Sequence, residues 1–262
     1  MTPQALPALF LAHGAPDLTL TDRPAKQFME GLGETLPRPR AILAVSAHWE
    51  ASIPTLTAAE APETVHDFSG WPDALYDIRY PAKTAPWLID GTERLLRNAG
   101  FTVGLDEKRG FDHGAWAPLR LIYPGTDIPI VQLSLLEGAD AKTHYAIGQA
   151  LEPLRQQGVL IAASGATVHN LRRLAREGAP PADWAVDFDA WVMERLEAAD
   201  IETLTDFERQ APNTRMAHPT PEHFLPLFVA LGAAGATAKA ERLHHSYSYG
   251  SIGMSCFAFQ TH

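Results

Sequence analysis

Five of the eleven histidines in this 262-residue chain occupy positions from which a side chain can reach a ligand. They stand at strand ends, in glycine-flanked loops or at a predicted helix start: His13, His48, His113, His169 and His223. A single such histidine is more often a hydrogen-bonded core residue, but several at one sheet edge indicate a shared ligand. Two or three imidazoles plus a carboxylate suit catalytic zinc or non-haem Fe(II). The residues therefore predict a histidine-rich metal site without specifying the metal.

Two apolar segments that end in histidine must position the first two of these side chains. Residues 7–12 are apolar and lead into His13, and residues 41–46 lead in the same way towards His48. Ligands of open α/β sheets bind at the carboxyl ends of the strands, so both segments are predicted to be buried strands that deliver their histidines to one edge. Gly14 turns the backbone after the first strand and is expected to keep side-chain bulk away from the metal.

Strands and helices alternate along the rest of the chain. The hydrophobic pattern predicts helices over residues 22–32, 84–99, 139–157, 183–209 and 220–232. It predicts further strands at residues 53–57, 101–105, 128–135 and 159–163, and one or two within 245–259. This alternation favours an α/β fold: a single domain, residues 1–262, in which helices flank a largely parallel central sheet. The metal site is expected at the carboxyl ends of its strands.

Capping and turn residues predict where two helices begin and where two loops lie. Asp22 and Thr220 are expected to be N-caps, with His223 in the first turn of the helix that Thr220 opens. Residues 110–116 are expected to form a tight loop. Residues 65–72 are aromatic and rich in turn residues, which indicates a loop that covers either a site or part of the core.

The remaining histidines and the single cysteine carry weaker signals. His218 competes with His223 as a ligand, and His223 is preferred because a helix start fixes its direction. His144 falls in a predicted helix and is expected to be solvated. Cys256 lies in an apolar segment and is expected to be a buried structural thiol. Gly165 is not part of a GxSxG elbow, and it is expected to let the backbone approach the metal pocket.

Composition excludes several classes of function. The formal net charge of −10 and the pI of about 5.5, without basic clusters, argue against nucleic-acid and anionic-membrane partners. One cysteine excludes an intrachain disulfide and a cysteine-rich metal site. No segment approaches the roughly 20 apolar residues of a membrane span, and no signal peptide is evident. A cytoplasmic enzyme acting on a small molecule is expected, as a monomer or a small homo-oligomer.

Eight motifs resemble one known family, in order and over nearly the whole chain. They are Leu11-Ala-His13-Gly-Ala-Pro16, Val45-Ser-Ala-His48-Trp49, Val65-His-Asp-Phe68, Pro72-Asp-Ala-Leu-Tyr76, Gly110-Phe-Asp-His113-Gly-Ala-Trp116, Pro129-Ile-Val-Gln-Leu-Ser134, Ala163-Ser-Gly165 with Val168-His-Asn-Leu171, and Pro219-Thr-Pro-Glu-His223-Phe-Leu-Pro226. Together they are specific. The sequence resembles the class III extradiol ring-cleavage dioxygenases, in the 4,5-DOPA dioxygenase branch.

The resemblance implies one divalent metal ion, Fe(II) for dioxygenase activity, with zinc able to fill the same ligands. His13, His48 and His223 match metal ligands of the branch, and His169 matches a histidine at or beside the metal. The third ligand is a glutamate in the wider superfamily, so Glu222 and His223 remain alternatives.

The resemblance also implies the reaction. The substrates would be dioxygen and a catechol such as DOPA or a related phenolic, opened to a semialdehyde. His113 and His169 match acid/base histidines, with His169 as the expected base. The candidate pocket walls share an aromatic or histidine side chain: His66, Phe68, Trp71, Tyr76 and Trp116.

Two other functions use the same residues. A zinc hydrolase or other Lewis-acid enzyme would work without oxygen. A non-catalytic, Memo-like interaction protein would share the fold but have a closed or metal-free pocket. The presence of all five histidines and of the aromatic loop argues against a catalytically inactive site.

Overall fold

The strand that precedes His13 and the strand that contains His48 lie in the centre of one sheet, separated by a single strand. The computed structural model describes residues 5–260, so both ends of the predicted 1–262 domain lie outside the described residues. The described strands are β1 Ala8–Ala12, β2 Ala41–Ala51, β3 Thr55–Thr57, β4 Gly104–Asp106, β5 Ile130–Leu136, β6 Val159–Gly165, β7 Lys239–His244, β8 Tyr247–Ser248, β9 Ile252–Gly253 and β10 Cys256–Gln260.

Helices connect these strands. The described α-helices are α1 Pro24–Thr35, α2 Asp73–Tyr76, α3 Pro86–Asn98, α4 His113–Ile122, α5 Ala141–Leu151, α6 Pro153–Gln156, α7 Asp183–Glu197, α8 Ile201–Thr205, α9 Phe207–Gln210, α10 Thr214–Ala217 and α11 Leu225–Ala233. Two short 3₁₀ helices cover Pro16–Thr19 and Leu171–Arg173. Among the described helices, none is both long and apolar enough to cross a bilayer.

The main sheet has eight strands in the order β4-β3-β5-β2-β6-β1-β10-β7. The four central strands β5, β2, β6 and β1 are parallel to one another. β10 and β7 extend the sheet antiparallel at one side, and β3 pairs antiparallel with β5 at the other. The predicted α/β fold with a largely parallel central sheet is therefore confirmed, and the antiparallel strands are confined to its flanks.

Alternating side chains along the central strands build a core on each face of the sheet. Phe10 and Ile161 point into one core, and their neighbours Leu9 and Leu160 point into the other. Residues of α3, α5, α7 and α11 complete the first core, and residues of α1 and α4 complete the second. Strands buried on both faces are nearly continuous apolar runs, which is why these segments were detectable in the sequence.

Several predicted helix boundaries are wrong. The helix predicted over 139–157 breaks before Pro153, because proline cannot donate the hydrogen bond that would continue α5. The segment 183–209 divides into three helices, and Ala199 between the first two has a φ of 51°. Asp22 does not cap α1: the cap is Arg23, without a side-chain hydrogen bond, and the Asp22 carboxylate accepts from Gln27 instead.

Two further local predictions fail next to the histidines. Residues 110–116 are not all loop, because α4 begins at His113 and the Asp112 carboxylate caps it by accepting from the Ala115 amide. Thr220 is not an N-cap, since the helix it was expected to open begins only at Leu225. His223 therefore lies in the turn before α11.

His144 is buried rather than solvated. Its Nδ1 donates to the Asp140 carbonyl (2.8 Å) and its Nε2 accepts from the Leu136 amide (3.1 Å), so the ring is neutral and joins α5 to the end of β5. Burial holds the pKa of His144 below its ordinary value of 6.5.

We expect His144 to make the protein sensitive to acid. Below about pH 6.5 the unfolded chain binds a proton at this ring that the folded chain does not, so the free energy of unfolding falls as the pH falls. A His144→Gln variant should be less stable at pH 7.5 by about 1–3 kcal/mol. Urea unfolding at pH 7.5 and 5.5 should show the difference from the wild type narrowing at pH 5.5, and an unchanged difference would contradict the assignment.

Candidate metal centre

The carboxyl edge of the sheet brings the first two histidines into contact. His13 directly follows β1, and His48 lies in β2 where the pairing with β5 shifts register between Val45 and Glu50. The Nε2 atoms of His13 and His48 are 3.0 Å apart. This part of the sequence prediction, two strands that deliver two imidazoles to one point, matches the geometry.

Each of three imidazoles is held through Nδ1, which leaves Nε2 directed into the cluster. Ser164 Oγ lies 2.8 Å from His13 Nδ1, Asp67 Oδ2 lies 3.3 Å from His48 Nδ1, and Glu222 Oε1 lies 2.8 Å from His223 Nδ1. A carboxylate only accepts hydrogen bonds, so the Nδ1 atom of His223 carries the proton and its Nε2 atom carries a lone pair. The Asp67 carboxylate beside His48 Nδ1 favours the same tautomer in His48.

His223 Nε2 is buried and has no hydrogen-bond partner among the described residues. A buried polar atom of this kind is costly unless a ligand satisfies it. It lies beside the His13–His48 pair, with the His223 ring centroid 5.4 Å from that of His13 and 5.0 Å from that of His48. The unpartnered lone pair therefore points to a cation at this place.

Burial keeps these imidazoles neutral. It lowers the pKa of His13 and of His223 well below 6.5, and it lowers the pKa of His48 and of His169 to about 4. Neighbouring imidazoles lower these pKa values further, since two positive charges at such distances repel each other. Neutral imidazole is the form that binds a transition metal.

The donor atoms form two neighbouring groups, each compact enough to hold a metal ion. Donor atoms of His13, His48 and His113 lie within 4.8 Å of one another, and so do donor atoms of His169, Glu222 and His223. Two nitrogens held about 2.1 Å from one ion at a right angle are about 3.0 Å apart, which agrees with the His13–His48 distance. Nitrogen-rich donor sets select zinc, iron, copper or nickel over magnesium and calcium.

His113 is fixed in the cluster by the start of α4. Its Nδ1 and its backbone amide both donate to Asp67 Oδ1, at 3.0 and 2.9 Å. The preceding residue, Asp112, is fully buried and accepts hydrogen bonds from Ser46, Gln132 and Arg109. This network ties α4 to β2 and β5, so the position of His113 is set by the sheet.

His169 lies four residues beyond the end of β6 and, like His48, is half-buried. Its ring stacks on that of His223, with centroids 3.4 Å apart and planes within 9° of parallel. Its backbone amide donates to the Ala217 carbonyl at 2.9 Å, and its ring has no hydrogen bond to the described residues. The imidazole is free to interact with a ligand in the cavity.

A cavity of about 380 Å³ opens over the histidines. His48, His113, His169 and His223 line its floor. Its walls are mainly apolar or aromatic: Pro16, Phe68, Trp71, Leu171, Leu174, Tyr249 and Ile252. This size and composition suit a small aromatic ligand.

Three of the five candidate wall residues, Trp116, His66 and Tyr76, do not line this cavity. Trp116 is fully buried, and its indole N–H donates to the Val65 carbonyl at 2.9 Å. His66 packs against Trp116 and Tyr76, behind the cavity wall formed by Phe68. The aromatic loop therefore supplies Phe68 and Trp71 to the wall, and Tyr76 of α2 and Trp116 of α4 pack against Phe68.

Geometry also bears on two other residues near the histidines, His218 and Gly14. His218 is buried with its Nε2 2.8 Å from the Thr167 carbonyl, outside the cluster, so the preference for His223 agrees with the structure. Gly14 has a φ of 60°, and a Cβ there would lie 2.9 Å from the Met254 side chain. Gly14 is therefore required by the turn and by the close packing of Met254, and it lines the cavity over the histidines.

Comparison with known proteins agrees with this geometry. Residues 8–260 match the family model described as the catalytic LigB subunit of aromatic ring-opening dioxygenase. The chain belongs to this family. It is 42% identical over 259 residues to a 4,5-DOPA dioxygenase extradiol of Beta vulgaris, covering 95% of each chain. It is also 42% identical over 238 residues to the Escherichia coli K12 protein of the same name, covering 89% of this chain and 87% of that one.

The fold is shared with a solved structure as well. The crystal structure of an uncharacterised Escherichia coli K12 protein superposes with a TM-score of 0.81 at 35% identity, covering 97% of this chain and 99% of the other. The protein is therefore a ring-cleaving dioxygenase of the LigB family, and the resemblance in its motifs is confirmed.

Three residues of this dioxygenase site were not singled out from the sequence. Asp67, Ser164 and Asp112 each hold a histidine or the element that carries it. Asp67 and Asp112 stand one residue from a histidine, in His66-Asp-Phe68 and Phe111-Asp-His113. Adjacency to a histidine was therefore the available signal for both, whereas the only local signal at Ser164 was an incomplete GxSxG elbow, which does not predict a contact with a histidine.

Gly165 lets the turn that carries His223 approach β6. The Ala166 amide donates to the His223 carbonyl at 2.9 Å, and a Cβ on Gly165 would lie 2.1 Å from that same oxygen. The predicted role of Gly165, close backbone approach at the metal pocket, agrees with this contact.

A Gly165→Ala variant should displace the turn that carries Glu222 and His223. We expect a loss of about 1–3 kcal/mol in the free energy of unfolding and a weaker metal site, because the His223 carbonyl must move. Gly31→Ala is the matched control, since nothing lies within 4 Å of its Cβ position in α1. Thermal unfolding and zinc titration of both variants test this, and equal behaviour of the two would contradict it.

Proposed function

We propose that the protein is an Fe(II)-dependent extradiol dioxygenase that opens the ring of a catechol, DOPA or a related phenolic, to a semialdehyde. The observation that carries this proposal is the cluster of imidazole Nε2 atoms at the floor of an aromatic-walled cavity, with the buried His223 Nε2 lacking a partner. The names of the relatives, 4,5-DOPA dioxygenase extradiol, support a catechol as substrate.

His13, His48 and His223 are the proposed ligands of the metal. Their Nδ1 partners hold the rings with Nε2 inward, and burial keeps them unprotonated. Glu222, the alternative to His223, is assigned to orient the His223 ring by accepting from its Nδ1. Bound Fe(II) supplies the redox chemistry that allows a catechol to react with dioxygen, which zinc in the same ligands does not supply.

His169 and His113 are the proposed acid/base residues. His169 has a free ring at the cavity floor and accepts a catechol hydroxyl proton on a ring nitrogen. His113 keeps its Nδ1–H on Asp67 and presents its other nitrogen to the cavity, where it holds or returns a proton. The apolar walls exclude water from the reacting ring and orient it by aromatic contact.

The proposed substrate is a small molecule, and the proposed location is the cytoplasm. The surface charge of this acidic protein supports a small-molecule substrate over nucleic acid. Cys256 is buried and free, and burial raises the pKa of its thiol to about 12, so it is not a nucleophile. A free thiol and the absence of any possible disulfide are consistent with the cytoplasm.

Reconstitution of metal-free protein tests the proposal. Samples are loaded anaerobically with Fe(II) or Zn(II), mixed with DOPA, caffeate or 4-methylcatechol, and then exposed to air. We expect oxygen uptake and a yellow semialdehyde only with Fe(II). Oxygen-independent hydrolysis of an ester or amide by the zinc form, with no catechol consumed, would instead support a Lewis-acid enzyme.

A further inference from the structure

We infer that Asp67 is a positioning residue that fixes the proton on two neighbouring imidazoles at once, those of His48 and His113. The inference rests on the proposed metal site, because its consequence is that both rings offer a lone pair to the same space. It assigns a function to the loop of residues 65–72 beyond covering the cavity.

The two carboxylate oxygens of Asp67 contact different histidines. Oδ1 accepts from the His113 backbone amide at 2.9 Å and from His113 Nδ1 at 3.0 Å. Oδ2 lies 3.3 Å from His48 Nδ1. The two His113 contacts are hydrogen bonds and require a donor on the histidine, because an ionised carboxylate only accepts. The His48 contact is an ion-pair distance, and the negative charge of the carboxylate favours the tautomer with the proton on the facing Nδ1. Both rings therefore carry hydrogen on Nδ1 and a lone pair on Nε2.

The Asp67 carboxylate has no competing cationic partner among the described residues. No lysine or arginine of the described residues lies within ion-pair distance of its carboxylate. Its backbone is open to solvent, but only 21% of the side chain is exposed. The rings of His48 and His113 lie with centroids 4.0 Å apart, so a single anion between their Nδ1 atoms orients both.

The loop that carries Asp67 is anchored on both sides of the residue. The Val65 amide donates to the Phe111 carbonyl at 2.8 Å, and Trp116 donates to the Val65 carbonyl. Phe68 packs its ring against the edge of His113, with centroids 5.5 Å apart. The same loop thus forms a cavity wall and holds the carboxylate in place.

We expect an Asp67→Asn substitution to change the tautomer of only one of the two rings, that of His48. The amide oxygen can keep the two His113 contacts, which places the NH₂ group opposite His48 Nδ1. Two donors cannot face each other, so His48 must move its proton to Nε2, where the lone pair for the metal would be. We expect metal affinity to fall by about 10- to 100-fold, the usual effect of losing a partner of a metal-binding histidine.

Two measurements on variants with unchanged thermal unfolding test this. The Zn(II) dissociation constant is obtained by competition with a chromophoric chelator, and ¹⁵N NMR of the histidine rings in metal-free protein gives the tautomers. We expect His48 alone to change to the Nε2–H form in Asp67→Asn, and Asp67→Glu to recover the Nδ1–H form in part. The matched control is Asp77→Asn, an exposed aspartate without a side-chain hydrogen bond to the described residues.

The outcomes separate this inference from the proposed function. Unchanged tautomers and an unchanged zinc dissociation constant in Asp67→Asn would overturn the role of Asp67 while leaving the metal site intact. If the wild-type protein bound no metal, the proposed function would fail, and the tautomers in metal-free protein would still decide the role of Asp67.

Discussion

Replacing His223 by alanine is expected to weaken metal binding by more than about 100-fold and to abolish ring cleavage with it. Loss of an outer partner of a metal-bound histidine costs about 10- to 100-fold in affinity, and loss of a ligand costs more. His223 contributes the buried Nε2 atom that lacks any other partner, so no described protein contact replaces the metal at this nitrogen. The measurement is the metal content and the Zn(II) dissociation constant of the purified variant.

A Glu222→Gln variant, measured beside His223→Ala, decides whether Glu222 or His223 is the metal ligand. A glutamine oxygen still accepts from His223 Nδ1, which lies 2.8 Å from Glu222 Oε1, so the ring stays oriented. We expect this variant to lose about tenfold or less in metal affinity. The reverse order, with Glu222→Gln losing the metal and His223→Ala retaining it, would make Glu222 the ligand and contradict the assignment.

The second large effect is expected from His169→Ala. If His169 is the base that accepts a catechol proton, its removal should lower kcat by about 10²- to 10⁴-fold while the metal stays bound. We expect this separation because the His169 ring makes no hydrogen bond to a proposed metal ligand, and the His223 ring on which it stacks is held separately by Glu222. Steady-state oxygen uptake on Fe(II)-loaded protein gives kcat, and metal analysis gives occupancy.

His66→Ala is the control for this experiment. It removes an imidazole that lies behind the cavity wall, so kcat should remain close to the wild-type value. A His169→Ala enzyme that loses its metal would place His169 among the ligands. A large loss of kcat in His66→Ala would instead mean that the aromatic loop moves to bring His66 to the substrate.

The parts of the site that follow strands were predictable. His13 and His48 come at the ends of continuous apolar runs, and parallel strands bring their carboxyl ends to one edge by topology. The same reasoning predicted the close approach at Gly165. In each case the position depends on the sheet, which the hydrophobic pattern determines.

The parts that depend on turns and loop packing were not predictable. His223 was expected in a helix, but the chain from Pro219 to Phe224 forms turns, and only the fold shows that Glu222 accepts from its ring. Trp116 was expected in a loop facing substrate, but α4 begins at His113 and turns the indole into the core. Such directions are set by contacts between segments distant in sequence.

Incorporation of ¹⁸O₂ into product tests most directly whether this histidine cluster catalyses extradiol ring cleavage. Fe(II)-loaded protein is mixed anaerobically with a catechol that it consumes in air and is then exposed to ¹⁸O₂, and the product is analysed by mass spectrometry. We expect a ring-opened product that carries both oxygen atoms of one O₂ when it is analysed before its aldehyde oxygen exchanges with water, formed by the wild type and not by His223→Ala. An unopened ring, or a product without label from O₂, would contradict it.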